Sequence, residues 1–202
     1  MDTWEIVKVV SELALSIVAI IISIIAIRQT KKQIVLSNKQ QLFDRRLEKY
    51  YIIEALISSF YLSRIMCDKE SDLEDYPQFI LKDLLNNEYL EDAMWVTDKP
   101  QEEATSEIME HKKRWLSMIS EEILIIFDNE EAKVMSQFVN QFGTVIFYLN
   151  SYNYWNSYLD EEEKQNAEKE RAYKHYQLLD RLAGQIEDEG TEYKILDQVK
   201  LS

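Results

Sequence analysis

Arg171 and His175 are the residues best placed for chemistry. In Arg171-Ala172-Tyr173-Lys174-His175 they stand four apart, on one face of any helix that contains them. A guanidinium beside an imidazole can hold a phosphate while moving a proton, as in helical ribonucleases that carry an arginine and a histidine close together. The three intervening residues are one too few for that motif. The pair therefore reads first as a solvated arginine and a surface histidine. A carboxylate-bridged metal pair in a helical protein needs Glu-x-x-His. The residues three before His111 and His175 are Ile108 and Ala172, so that chemistry lacks its ligands. Glu161 to Glu163 and Glu187 to Glu189 are acid runs of the kind that form solvated faces. Cys67 is the single cysteine, which excludes an intrachain disulfide and a cysteine-based zinc site. There is no phosphate-cradling glycine loop and no Gly-x-Ser-x-Gly elbow. No catalytic residue, metal or cofactor is expected.

The elements that would carry these residues are helices. The 202 residues include only three glycines (Gly143, Gly184, Gly190) and two prolines (Pro77, Pro100). Tight turns in sheets and loops depend on both residue types. No glycine or proline precedes Pro77, so nothing forces the backbone out of a helix before about Met66. The expectation is an all-α protein with one soluble domain. Charge is uneven: residues 1–50 carry 8 Lys/Arg and 5 Asp/Glu, residues 51–202 carry 15 and 32. So acidic a domain repels phosphate backbones, and direct nucleic-acid binding is not expected. His111-Lys112-Lys113-Arg114 is the one local exception, and it reads as a solvated helix face.

Residues 9–27 form a nineteen-residue apolar stretch with one acid, Glu12. At helical rise it is about 28 Å long, close to the hydrocarbon thickness of a bilayer. A cleavable signal would open on basic residues, whereas this chain opens with Asp2 and Glu5, so the stretch reads as an uncleaved transmembrane helix. Arg28, Lys31, Lys32, Lys39, Arg45 and Arg46 follow it, and Lys8 alone precedes it. That asymmetry predicts a single-pass membrane protein with its N-terminus outside and the rest cytoplasmic. Arg28, Lys31, Lys32, Arg45 and Arg46 form the juxtamembrane basic flank. Glu12, Ser16, Ala19, Ser23 and Ala26 recur at alternating spacings of four and three, and the register continues through Thr30, Gln33, Ser37 and Gln40. Small side chains on one stripe let transmembrane backbones approach closely, which predicts self-association through these five residues.

Beyond the flank, 3.6-residue periodicity predicts helices over 78–94, 101–127, 130–159 and from 161 to about 182, with Gly184 ending the last. Asp128-Asn129 resembles an N-cap. Phe138, Phe142, Val145, Leu149 and Tyr152 are the expected core stripe of the third. Tyr148, Tyr152, Tyr154, Trp155 and Tyr158 could line an aromatic groove, although aromatics on such a helix are more often core. The resulting division is an outer N-terminus (1–8), the span (9–27), a juxtamembrane helical stalk (28–66) and an acidic helical bundle (67–202) that also takes in the stalk's distal half.

Leu42-Phe43-Asp44-Arg45-Arg46-Leu47-Glu48-Lys49-Tyr50 resembles a juxtamembrane stretch of a loose family of uncharacterised bacterial single-pass membrane proteins. Here Lys49 stands where that family often has a small or apolar residue. The resemblance implies an accessory or antiviral-defence setting and supplies no catalytic residues. Three functions remain open: a self-associating interaction or sensor subunit with a protein partner, an effector whose oligomerised anchors perturb the bilayer, and a nuclease-like enzyme resting on Arg171 and His175.

Overall fold

The structure is a computed structural model, and it describes residues 3–66, 77–100, 102–127, 129–157 and 162–200. Among these residues there are seven helices and no strand: α1 (Thr3–Met66), α2 (Pro77–Leu85), α3 (Glu91–Val96), α4 (Glu103–Ile126), α5 (Glu130–Asn156), α6 (Glu162–Asp188) and α7 (Thr191–Lys200). The all-helical expectation holds. Two compact units divide the chain, Met1–Asp44 and Arg45–Leu201.

Among its described residues the first unit is helix alone. Its apolar side chains, from Trp4 to Leu36, are exposed, and α1 is the one described helix long and apolar enough to cross a membrane by length and composition. The Ser16, Ser23 and Thr30 hydroxyls each donate to the carbonyl four residues earlier, on Glu12, Ala19 and Ala26. Polar side chains in an apolar stretch thus satisfy themselves within the helix.

The second unit is organised around α5, which packs against α2, α4, α6 and α7. Its stripe of Phe138, Val139, Phe142, Val145, Ile146 and Leu149 is buried, as the periodicity predicts. Residues 45–66 of α1 belong to this unit through Ile52, Ile53, Leu56, Ile57 and Phe60. Phe60 sets its ring edge-on to Phe138 at 6.0 Å and tilted to Tyr176 at 5.6 Å. Gly143 permits the close approach of α4: a Cβ there would lie 3.2 Å from Leu116 Cβ.

Local chemistry moves two predicted helix ends and caps a third where expected. The helix expected over 78–94 is two helices, α2 and α3. Asn87 stops the first by donating to Leu84 O and to Ser59 Oγ, and its own Oδ1 accepts from the Tyr89 amide. This is a side-chain turn that competes with the helical ladder. Gly184 does not end α6, which runs through it to Asp188. The terminator is Gly190, whose φ of 59° is the left-handed conformation that glycine adopts at little cost. At the start of α5, Asn129 accepts from the Ala132 amide at 2.9 Å, while Asp128 lies outside the described residues.

Candidate functional site

Glu12, Ser16, Ala19, Ser23 and Ala26 are all exposed on α1, with no other described element in their unit to cover them. Because the serine hydroxyls turn back onto the backbone, the stripe presents mainly small side-chain surface. Arg28, Lys31 and Lys32 are exposed on the same helix.

In the second unit Arg45 is exposed, whereas Arg46 departs from the basic flank assigned to it. Its Nε donates to Ile126 O at 2.8 Å and its Nη1 to Gln198 O at 3.1 Å, with the guanidinium 5.9 Å from the Phe127 ring centre. A planar fork can serve two carbonyls at once, and the last carbonyls of a helix lack intrahelical donors. Arg46 therefore joins α1 to the ends of α4 and α7. Lys49, by contrast with the half-buried Arg46, is buried. Its Nζ lies 2.8 Å from Glu122 and 3.0 Å from Glu48. Burial pulls the Lys49 pKa down, but the hydrogen bonds it donates to both carboxylates, and their charges, outweigh it and hold it above the ordinary value.

The structure does not join Arg171 and His175 in one site. Arg171 is exposed and pairs with Glu168 at 2.6 Å. The half-buried His175 stacks on Tyr148, with centroids 5.1 Å apart and planes at 13°. Gln141 Nε2 donates to His175 Nδ1 at 2.7 Å and to His175 O at 2.9 Å, which leaves the imidazole proton on Nε2. Burial, then the charges of Lys174 and Lys113, lower the His175 pKa. A neutral imidazole clamped in this way is a helix-joining group.

The basic patch is likewise committed. Lys112 pairs with Asp92 at 2.7 Å and donates to Tyr89 O, and Lys113 lies 4.1 Å over the Phe147 ring. Among the described residues no group of three His, Cys, Asp or Glu is arranged to hold a metal ion.

The expected aromatic groove is dispersed. Tyr148 is turned to His175, and Tyr154 meets Trp155 edge-on at 5.0 Å with Lys164 4.4 Å above Trp155. Tyr158 lies outside the described residues. Tyr152 lines a cleft of about 270 Å³ with Pro77, Leu149, Ala172 and Tyr173, bordered by Lys169 and Glu170. Sequence reasoning found Tyr152 but not its neighbours, because the cleft is assembled from α2, α5 and α6 and no single helix shows it. Comparison of the chain with protein-family models, curated proteins and solved structures gives no match.

Proposed function

We propose that this chain is a membrane-anchored, self-associating interaction or sensor subunit. It acts at the cytoplasmic face of a bacterial inner membrane, within an accessory or antiviral-defence system. The observation that carries this reading is the apolar stretch of α1, long enough to span and without any buried residue in its window. Core helices of soluble proteins hide such side chains, and bilayer hydrocarbon is the environment that removes this much apolar surface from water. Cations on one side of the stretch support the orientation, and the self-satisfied small-residue stripe supports association. The defence setting rests on the resemblance around Leu42–Tyr50.

Crosslinking of the full chain in membranes tests this. Ser16→Leu with Ser23→Leu keeps the segment apolar but adds bulk to the stripe, and Ile17→Leu with Ile24→Leu is the control on other faces. The first pair should lose oligomer and the second keep it; equal oligomer in both sinks association through the stripe. If the first pair loses oligomer together with toxicity on induced expression, bilayer perturbation becomes the better reading.

A further inference from the structure

Beside the last turns of α1, the α6–α7 turn forms a groove of about 320 Å³ lined by Tyr61, Ile65, Ile186, Glu187, Glu192 and Tyr193, with Gly190 at its edge. Ile65 and Tyr193 are each 75% exposed, so the groove presents open apolar surface flanked by carboxylates. Gly190 gives the turn its left-handed step, and no side chain rises there between the two helices.

The groove's carboxylates are lightly engaged. Glu187 meets Arg64 only at 4.0 Å, because Arg64 is nearer Asp180 at 3.2 Å. Glu192 accepts from the Tyr50 hydroxyl at 3.5 Å, the long limit of a hydrogen bond. Their field is felt nearby: burial first, then Glu54 and Glu192, push the Tyr50 phenol up to about 12. Burial and then Glu187 raise Tyr61 as well.

We propose that this groove docks a basic amphipathic segment of a partner protein, with an apolar side chain seated between Ile65 and Tyr193 and cations set against Glu187 and Glu192. Charge complementarity selects that occupant. Residues 51–202 carry 15 cations against 32 acids, so a second copy of this acidic unit or an anionic lipid surface is repelled from the groove. A cationic segment gains electrostatic steering and covers the open apolar surface. The proposal rests on the interaction reading above and supplies its partner class.

The test uses the full chain in nanodiscs of zwitterionic lipid and, as probe, a labelled amphipathic peptide of leucine and lysine, with empty nanodiscs as baseline. Fluorescence anisotropy should show binding above the baseline that weakens as salt rises. Ile65→Asp with Tyr193→Ser should lower affinity at least tenfold, and Glu187→Gln with Glu192→Gln should lower it and flatten the salt dependence. Trp95→Ser with Met118→Ser, exposed sites elsewhere, should change nothing. Circular dichroism of each variant confirms its fold. No binding above the baseline, or equal losses in the control pair, overturns the proposal. A photocrosslinker at position 193 in cells should join a Lys/Arg-rich amphipathic peptide; crosslinks to a second copy or to lipid overturn it. Crosslinked oligomer is scored in the same samples, so a chain that self-associates without binding the peptide defeats the docking proposal alone.

Discussion

Lys49 holds its ammonium 2.8 Å from the Glu122 carboxylate while only 8% of its side chain meets solvent, against 47% for Glu122. The ion pair thus has a dry cation and a wet anion. Removing the cation leaves carboxylates that water can solvate, whereas removing the anions leaves a buried charge. Lys49→Met should therefore change stability by less than about 1 kcal/mol. Glu48→Gln with Glu122→Gln should cost on the order of 1–3 kcal/mol, the range for a buried polar group stripped of its partners. Thermal melting of the full chain in nanodiscs compares them, and a larger loss in Lys49→Met would contradict this account.

Two helical glycines should respond with opposite sign to the same change. At Gly184 an added Cβ meets nothing within 4 Å, so Gly184→Ala should stabilise by about 0.5–1 kcal/mol through helix propensity. At Gly143 the Cβ would sit 3.2 Å from Leu116 Cβ and 3.6 Å from the Lys113 Cα, both parts of a packed neighbouring helix. Overpacking of about 1–3 kcal/mol should exceed the propensity gain there. Denaturant midpoints decide it, and stabilisation by Gly143→Ala would show that α4 yields.

His175 predicts an acid-side loss of stability. Its folded pKa is lowered, by burial and then by Lys174 and Lys113, so the folded state resists protonation more than the unfolded chain does. The contribution is complete above the unfolded value of about 6.5 and is lost as pH falls from there through the lower folded value. Melting temperature should drop from pH 7 toward pH 5, and His175→Gln should flatten that drop. The imidazole should also titrate below the ordinary histidine value of about 6.5 in NMR spectra. Titration of His175 at or above that value would remove the basis of the prediction.

Topology has its own probe in Cys67, the single cysteine. A membrane-impermeant maleimide added to intact cells should leave it unlabelled, with labelling after lysis and unfolding. Labelling in sealed cells would reverse the orientation drawn from the cation asymmetry.

The scarcity of glycine and proline made the helical class legible, and the α5 stripe from Phe138 to Tyr152 made one buried face legible, because both are periodic properties of a single segment. The helix break at Asn87 was hidden, since it depends on a side chain reaching Ser59 on another helix. In sequence Arg46 belongs with the juxtamembrane basic flank. Its acceptors are Ile126 and Gln198, and no local pattern announces a partner that distant. The acidic groove was invisible for the same reason, as Ile65 and Tyr193 meet only after α1 and α7 have packed.

The Arg46 fork also sets an order of events in folding. Its acceptors lie 80 and 152 residues along the chain, so both bonds require large loops to close. Local helices form within microseconds, whereas contacts of such separation come late. The second unit should then mature from its interior, with α4, α5 and α6 pairing first. The guanidinium would find its two carbonyls only when α7 is seated, making the state of residue 46 a chemical record of whether that unit has finished folding.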